Sequence, residues 1–216
     1  MSLLEAENLV LERSGRTILS GVSFRVEPGE TVAVVGPSGS GKTSLLTALA
    51  GIQRADSGEV RLHGRPRTTV GRDVALVLQG YGLLPLLTAA ENIQVTLRAA
   101  GERPADAVRQ AEEALEMVGL GPFAGHLVEE LSGGQQQRVA VARVLALRPL
   151  VLLADEPTAE QDPGHRELVV ERLLHRKHPA GGAVVIATHD PQIASRCDRV
   201  VEVHQGRVGQ PGAARP

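Results

Sequence analysis

Two glycine-rich turns and one pair of adjacent acidic residues are the parts of this sequence whose residue types and spacing could bind a ligand or catalyse a reaction. The first turn is GPSGSGKT, from Gly36 to Thr43, which follows the apolar run Val32–Val35 and leads into the helical sequence SLLTALAG. This order of strand, loop and helix is the context in which the pattern GxxxxGK[ST] binds phosphate. Glycines let successive backbone N–H groups converge on phosphate oxygens, and the helix adds its positive end. We therefore predict a nucleoside triphosphate site at this turn.

Two side chains of this turn have distinct expected roles. Lys42 is one of only two lysines among 23 basic residues, and its compact ammonium suits the β- and γ-phosphates better than a planar guanidinium would. The Thr43 hydroxyl is an oxygen ligand of the kind that Mg²⁺ accepts. We expect the nucleotide to be bound by Gly36, Pro37, Ser38, Gly39, Ser40, Gly41, Lys42, Thr43 and Ser44.

The acidic pair ends a second apolar run. In LVLLADEP, Asp155 and Glu156 directly follow Val151–Ala154. Carboxylates at the carboxyl end of a parallel strand lie where such sheets bind ligands. We expect Asp155 to hold Mg²⁺ together with Thr43, and Glu156 to polarise the water that attacks the γ-phosphate.

The second glycine-rich turn is LSGGQ, made of Leu131, Ser132, Gly133, Gly134 and Gln135, and a helical sequence follows it. Ser132 is a typical N-cap, and the two glycines expose N–H groups at a helix start. One nucleotide cannot easily reach both helix ends if the second lies on a helical insert. The economical arrangement is a pair of chains, each lending its second turn to the other's nucleotide.

Apolar runs of strand length are the elements that must position these groups. The continuous, β-branched runs are typical of strands buried on both faces of a parallel sheet, whereas the earliest runs alternate as in an antiparallel layer. The runs are Leu9–Leu11, Val22–Val26, Val32–Val35, Val60–Leu62, Val74–Leu78, Val151–Ala154, Ala183–Ala187 and Val200–Val203.

Helical patterns lie between these runs and fill the middle of the chain. We predict helices at Pro104–Val118, Gln135–Leu147 and Pro163–His175. The buried face of the first should carry Ala107, Val108, Ala111, Ala114, Leu115 and Val118. Residues 80–148 contain no good strand candidate, and we therefore predict that they form a helical insert in an α/β domain.

LSGGQ between GPSGSGKT and LLADEP resembles the ATPase domain of ATP-binding cassette (ABC) transporters, and the resemblance covers almost the whole chain. It implies a P-loop NTPase with a mostly parallel core sheet, an N-terminal antiparallel β layer and an inserted helical subdomain. The core and the β layer would occupy 1–79 and 149–208, the helical subdomain 80–148, and a loose tail 209–216. In this family two subunits pair head to tail around two ATP molecules, so that residues 131–135 would act on the partner's ATP.

The resemblance also assigns roles to three polar residues. Gln79, after the run Val74–Leu78, stands at the Q-loop position, where the family's glutamine approaches Mg²⁺ and the attacking water. His189, in VVIATHD, matches the switch histidine, which would contact the γ-phosphate and help position Glu156. Asp162, in TAEQD, matches the D-loop aspartate that couples the two sites of a dimer.

The segment QGYGLLPLLTAAENI, residues 79–93, is similar to the corresponding loop of the lipoprotein-release, macrolide-export and cell-division branch. In that branch the loop follows roughly Q-x-aromatic-x-LLP-x-LT-x-x-EN and receives a cytoplasmic helix of the membrane subunit. The residues implied in partner docking are Tyr81, Leu83, Leu84 and Pro85. The alternative is that these side chains are core of the helical insert, and the two interpretations are compatible.

Two positions depart from the family's pattern. Ser14 stands where an aromatic residue usually stacks on adenine, so Arg13 or Arg16 would have to stack instead and GTP could compete. Gln161 precedes the D-loop aspartate, where the family usually has leucine, so coupling between the two sites could be altered. Neither position touches the reacting phosphate, and hydrolysis is still expected.

Composition excludes several other classes of protein. The 23 basic and 25 acidic residues give a net charge of −2, which argues against a chain that coats nucleic acid. One cysteine, Cys197, excludes an internal disulfide, and three aromatic residues are too few for stacking on single strands. The sequence lacks a signal peptide and a membrane span, so we expect a cytoplasmic protein held at the inner face of the membrane by a permease.

We therefore predict an ATP- and Mg²⁺-dependent ATPase that dimerises and drives a membrane permease, as part of an exporter or a membrane-extraction complex. One alternative is a soluble ABC ATPase that acts on DNA or ribosomes, although such chains carry coiled-coil arms or tandem cassettes. The other is a regulator that binds nucleotide without hydrolysis, against which Glu156 and His189 argue.

Overall fold

The computed structural model describes residues 2–67, 69–175 and 181–209, which form ten strands and six helices. In chain order these are β1 (Leu4–Arg13), β2 (Arg16–Val26), β3 (Thr31–Val35), α1 (Lys42–Leu49), β4 (Ser57–Leu62), β5 (Arg65–Pro66), β6 (Val74–Val77), α2 (Ala89–Ala99), α3 (Pro104–Met117), α4 (Gly133–Ala146), β7 (Val151–Asp155), α5 (Pro163–Leu174), β8 (Ala183–Ala187), α6 (Pro191–Ala194), β9 (Arg199–His204) and β10 (Arg207–Gly209). Two short 3-10 turns, Gly121–Phe123 and Val128–Glu130, lie between α3 and α4.

The larger sheet has the strand order β10-β9-β3-β8-β7-β6. All of its pairings are parallel except that of β10 with β9. This confirms the predicted mostly parallel sheet. Because β3 and β7 both pair with β8, the carboxyl ends of these three strands lie side by side at one edge of the sheet.

The smaller sheet is the predicted antiparallel layer, with the strand order β2-β1-β4-β5. In β2, Phe24 and Val26 are buried while Ser23 and Arg25 are exposed, as the alternation in the sequence predicts. An alternating strand of this kind buries one face and leaves the other in water.

The two faces of the larger sheet pack against different partners. Along β7, Val151 and Leu153 belong to one apolar core with α1 and the antiparallel layer. Leu152 and Ala154 belong to a second core with α2, α3, α4 and α5. Burial on both faces explains why this strand is apolar without interruption until Asp155. Among the described residues, no helix is both long and apolar enough to cross a lipid bilayer.

The helices α3, α4 and α5 lie where the sequence predicts helices, whereas α2 and α6 were not predicted. Val108 is 42% exposed, so its placement on the buried face of α3 is wrong. The buried stripe starts at Ala107 and repeats at Ala111, Ala114 and Val118, and Val108 lies beyond its edge. The helix α4 begins at Gly133, two residues before its predicted start.

Two short edge strands, β5 and β10, were not predicted, because two or three residues carry no periodic signal. The strand β10 includes Gly209, which the sequence analysis placed in the tail. The rest of that tail, 210–216, lies outside the described residues. Residues 80–148 contain α2, α3 and α4 and no extended strand, as predicted.

The turn between β9 and β10 braces the phosphate loop. The Gly206 N–H donates to the Ser40 carbonyl oxygen over 2.9 Å, and the Gly206 carbonyl accepts from the Ser20 N–H over 2.8 Å. Gly206 has φ +70°, and a Cβ at this position would overlap the carbonyl oxygen of Ile18. Only glycine fits here, both for its backbone conformation and for the close approach of β2.

We expect Gly206→Ala to destabilise the protein more than Gly64→Ala. Gly64 has nearly the same φ, +72°, but faces open space, so the two variants share the backbone strain and differ in the overlap. The overlap should add about 1–3 kcal/mol to the loss. Urea unfolding of both variants measures the difference in the free energy of unfolding. Equal midpoints would mean that the backbone at Ile18 moves away from the added Cβ without cost.

Candidate active site

A cleft of about 480 Å³ opens at the edge of the sheet where β3, β7 and β8 end. It brings together the phosphate loop, the acidic pair and the two polar residues Gln79 and His189. Its lining residues are Ile18, Gly36, Pro37, Ser38, Gly39, Gly41, Lys42, Thr43, Ser44, Gln79, Asp155, Glu156, Ala159 and His189.

The phosphate loop is curved around its own lysine. Lys42 Nζ donates to the carbonyl oxygens of Gly36 and Pro37 over 2.8 and 3.1 Å, and Lys42 is only 9% exposed. At Gly36 a Cβ would overlap the carbonyl oxygen of Val203, so the loop requires glycine there. Ser40 does not line the cleft, because its side chain is buried, and its Oγ has no hydrogen-bond partner within the part of the chain that the structure describes. This concave loop at the start of α1 fits a phosphate chain.

Two of the three residues expected at Mg²⁺, Thr43 and Asp155, are in direct contact, and the third, Gln79, lines the same cleft. Thr43 Oγ1 donates to Asp155 Oδ2 over 2.6 Å, and Asp155 is 1% exposed. Burial raises the pKa of Asp155, whereas the Thr43 hydrogen bond and the Lys42 charge oppose that rise. A buried carboxylate beside a hydroxyl is a fitting place for a divalent cation.

The donor set also suits magnesium in particular. Mg²⁺ typically takes one or two protein carboxylates and completes its shell with water and substrate phosphates. Among the described residues, no three His, Cys, Asp or Glu side chains are grouped to hold a metal by themselves. The Thr43 and Asp155 pair therefore fits an ion that arrives with the nucleotide.

Glu156 is held in a strained backbone conformation, with φ +48°. Its N–H donates to the Ala187 carbonyl over 2.9 Å, and its carbonyl accepts from Gln137 Nε2 over 3.0 Å. A non-glycine residue in this region costs of order 1–3 kcal/mol and persists when its surroundings fix it. These bonds from β8 and α4 fix the direction in which the carboxylate leaves the strand.

The side chain of Glu156 meets His189. Glu156 Oε2 lies 3.0 Å from His189 Nδ1, and the two side chains are 13% and 76% exposed. His189 follows β8 as Glu156 follows β7, so the parallel pairing of the two strands brings them together. The carboxylate is shielded while the histidine stands at the mouth of the cleft.

Gln79 lies in the turn that follows β6 and lines the same cleft, as the Q-loop assignment requires. Ile18 and Ala159 also line the cleft, and the sequence analysis missed them because nothing in their local pattern marks them. Ser14, in the turn between β1 and β2, is exposed and does not line the cleft. Loose selectivity for adenine stays a prediction.

The second glycine-rich turn is capped as predicted. Ser132 Oγ accepts from the Gln135 N–H over 3.3 Å, and Gln135 Oε1 accepts from the Ser132 N–H over 2.8 Å. Ser132 is exposed, and residues 131–135 do not line the cleft. Within one chain, the fold does not bring the two anion-binding turns to the same ligand.

Asp162, the expected D-loop residue, caps the N-terminus of α5. It accepts from the N–H groups of Gly164 and His165 over 3.1 Å each, and it contacts His165 Nδ1 over 2.6 Å. These bonds, chiefly the one to the His165 ring, lower the pKa of Asp162. Its role between two chains stays a prediction.

The expected docking residues divide into two groups. Tyr81 and Leu83 pack against the apolar core around α2 and α4, whereas Leu84 and Pro85 are exposed. Leu86, which the sequence analysis passed over, is 79% exposed. The core interpretation therefore holds for Tyr81 and Leu83, and partner docking stays a prediction.

Two polar side chains fix the shape of this segment. Asn92, 2% exposed, donates to the carbonyls of Leu84, Leu87 and Thr88 and accepts from the Leu84 N–H. Arg143 of α4 donates to the carbonyls of Tyr81 and Gly82. The sequence analysis gave neither residue a role, although Asn92 is the last letter of the EN pair in the similar loop pattern.

Comparisons with known proteins agree with this geometry. Residues 19–159 match the family model described as ABC transporter. The chain is 44% identical to the lipoprotein-releasing system ATP-binding protein LolD 1 of Rhodospirillum rubrum, over 88% of each chain. It is 40% identical to the Fe(3+) ions import ATP-binding protein FbpC of Brucella abortus, over 97% of this chain and 60% of that one. The solved dimeric ATP-binding cassette MJ0796, in a post-hydrolysis state bound to ADP and Pi, superposes with a TM-score of 0.88 and 31% identity, covering 99% of each chain.

Proposed function

This chain belongs to the ABC transporter family and is an ATP-hydrolysing, nucleotide-binding subunit, and we propose that two copies close head to tail around two ATP molecules to drive a membrane permease. The observation that carries the proposal is the exposed Ser132 turn, which is built to bind an anion yet lies away from its own chain's cleft. A second copy supplies the missing half of each site. The dimeric state of the MJ0796 cassette supports this arrangement.

We also propose a division of labour within the chain. Residues 1–79 and 149–208 form the nucleotide-binding core with its antiparallel layer, and 80–148 form a helical subdomain that carries both the Ser132 turn and the permease contact. Because α4 packs on the core of the larger sheet, this subdomain stays connected to the catalytic strand β7.

The residues of the cleft bind ATP by charge and by backbone N–H groups. Lys42 exchanges its bonds to the loop carbonyls for the β- and γ-phosphates, and the N-terminus of α1 contributes its positive end. Thr43 and Asp155, with Gln79 close by, would hold Mg²⁺, which neutralises phosphate charge. The Ser132, Gly133 and Gly134 turn of the second copy closes over the γ-phosphate.

Hydrolysis then depends on orientation. Glu156, in its fixed backbone conformation, orients the attacking water and accepts its proton, while His189 contacts the γ-phosphate and holds the carboxylate. Phosphoryl transfer of this kind depends mainly on positioning and electrostatics. Loss of the γ-phosphate removes the charge that joins the two copies, and the dimer opens.

The permease partner fits the exposed apolar segment at Leu84–Leu86, which Asn92 and Arg143 hold in shape. Opening and closing of the dimer would pull on a membrane subunit seated there, at the inner face of the membrane. We propose export or extraction from the membrane as the direction. The similarity of residues 79–93 to the lipoprotein-release branch and the match to LolD 1 support it.

We expect Glu156→Gln to abolish ATP turnover while ATP binding is kept, because the phosphate loop is untouched and the amide cannot accept the proton. The variant should form a dimer when ATP is added and remain dimeric. Steady-state phosphate release and size-exclusion chromatography with ATP are the measurements. Turnover at the wild-type rate would rule out Glu156 as the base.

We expect Leu86→Glu to weaken permease binding and to leave the ATPase rate of the isolated subunit unchanged. The matched control is Val70→Glu, since Val70 is also exposed, at 66%, and lies outside the docking segment. The measurement is recovery of a multi-span membrane protein, identified by mass spectrometry, from detergent-solubilised membranes. Equal recovery with the two variants would place the permease contact elsewhere.

A further inference from the structure

Gln161, which departs from the family's leucine, makes a buried set of hydrogen bonds. It is 7% exposed, and its Nε2 donates to the Gly134 carbonyl and to Gln137 Oε1, each over 2.8 Å. Its Oε1 accepts from Arg138 Nη1 over 2.9 Å. Both amide hydrogens and the amide oxygen are thus used, and all three partners lie in the first turns of α4.

Arg138 depends on this contact. It is 6% exposed, and burial lowers the pKa of its guanidinium. Among the described residues its Nε has no hydrogen-bond partner, so Gln161 Oε1 provides a needed acceptor. A leucine at position 161 could not provide one, and a buried unpaired donor costs about 1–3 kcal/mol.

The same set of bonds reaches the backbone of Glu156. Gln137, which accepts from Gln161, also accepts from the Glu160 N–H over 3.2 Å and donates to the Glu156 carbonyl over 3.0 Å. The backbone is in close contact as well, because a Cβ on Gly134 would lie 2.7 Å from the Glu160 carbonyl oxygen. The turn at 158–162 is therefore fastened to the start of α4 at several points.

We propose that Gln161 is a positioning residue, which locks the Ser132 turn and Glu156 of one chain into a single rigid unit. The proposal rests on the proposed function, in which Glu156 serves its own chain's ATP and the Ser132 turn serves the partner's ATP. A chain that binds its partner's nucleotide through Ser132 thereby also fixes the carboxylate of its own site. The two sites of the dimer are joined through hydrogen bonds of Gln161 and Gln137.

A plain space-filling role makes a different prediction. If Gln161 and Arg138 only fill the interior, then replacing both with apolar residues of similar size should restore stability and activity together. If Gln161 positions the catalytic groups, stability and activity separate. Removing both partners of a buried hydrogen bond is nearly neutral for stability, but it also removes the directional contacts of Gln161 with Gly134 and Gln137.

The experiment compares Gln161→Leu, Arg138→Met and the double variant with wild type. The control is Gln110→Leu, because the side chain of Gln110, on α3, donates to Glu102 in the connection between α2 and α3. Thermal unfolding measures stability, and steady-state kinetics with ATP separates kcat from KM. Equilibrium binding of a fluorescent ATP analogue reports on the phosphate loop.

We expect Gln161→Leu to lower both thermal stability and kcat. The double variant should regain most of the stability while its kcat stays about 10- to 100-fold below wild type, the size of effect that a misplacement of about 1 Å produces. Binding of the analogue and KM should change little, because Gln161 does not line the cleft. The Gln110→Leu control should keep the wild-type kcat.

A double variant that regains kcat together with stability would overturn the proposal, and so would a Gln161→Leu variant with the wild-type kcat. This failure differs from a failure of the proposed function. If a Glu156→Gln variant still hydrolyses ATP, then Glu156 is not the base, and this conclusion does not depend on the results with the Gln161 variants. If Glu156→Gln is inactive and the double variant is fully active, only the positioning role is lost.

Discussion

A helix N-terminus binds an anion only where the anion can reach it, and this constraint governs the molecule. The phosphate loop and the acidic strand end share a cleft because β3, β7 and β8 end at one edge of the sheet. The capped N-terminus of α4 has the same chemistry but faces solvent elsewhere. Under the proposed function, a site that needs both helix ends would be assembled from two chains, with ATP joining them.

The fold fixes the position of the strand that carries the acidic pair. Strand β7 is packed on both faces by two apolar cores, and it ends in a buried carboxylate followed by a strained residue. Hydrogen bonds from β8 and α4 hold that residue in place. Because α4 also holds the segment with Leu84 and Leu86 through Arg143, one helix contacts the proposed docking segment, the turn at 158–162 and the backbone of Glu156.

The parts of the site that carry strong local chemistry could be predicted from the sequence. Gly36–Thr43, Asp155 and Glu156 are marked by residue type and by the apolar strands before them, and the resemblance added Gln79 and His189. The cleft lining contains all of these except Ser40, whose side chain is buried. Mg²⁺ binding and the roles between chains rest on the fit of the residues and remain predictions.

What could not be predicted depends on contacts between distant segments. Ile18 reaches the cleft because β2 runs beside the phosphate loop, which no local pattern records. The sequence marked Gln161 only as a departure from the family's leucine, yet it is bonded to three residues about 25 positions earlier in the chain. Val108 fitted the helical period but lies past the edge of the buried stripe, because the neighbouring helices decide how wide that stripe is.

The central claim is that each ATP is bound between two copies of this chain. The most direct measurement is a structure of the Glu156→Gln variant saturated with ATP and Mg²⁺. We expect two chains related by a two-fold axis, with each γ-phosphate between Lys42 of one copy and the Ser132 turn of the other. A dimer in which the Ser132 turns face solvent, or ATP fully enclosed by one chain, would contradict the account.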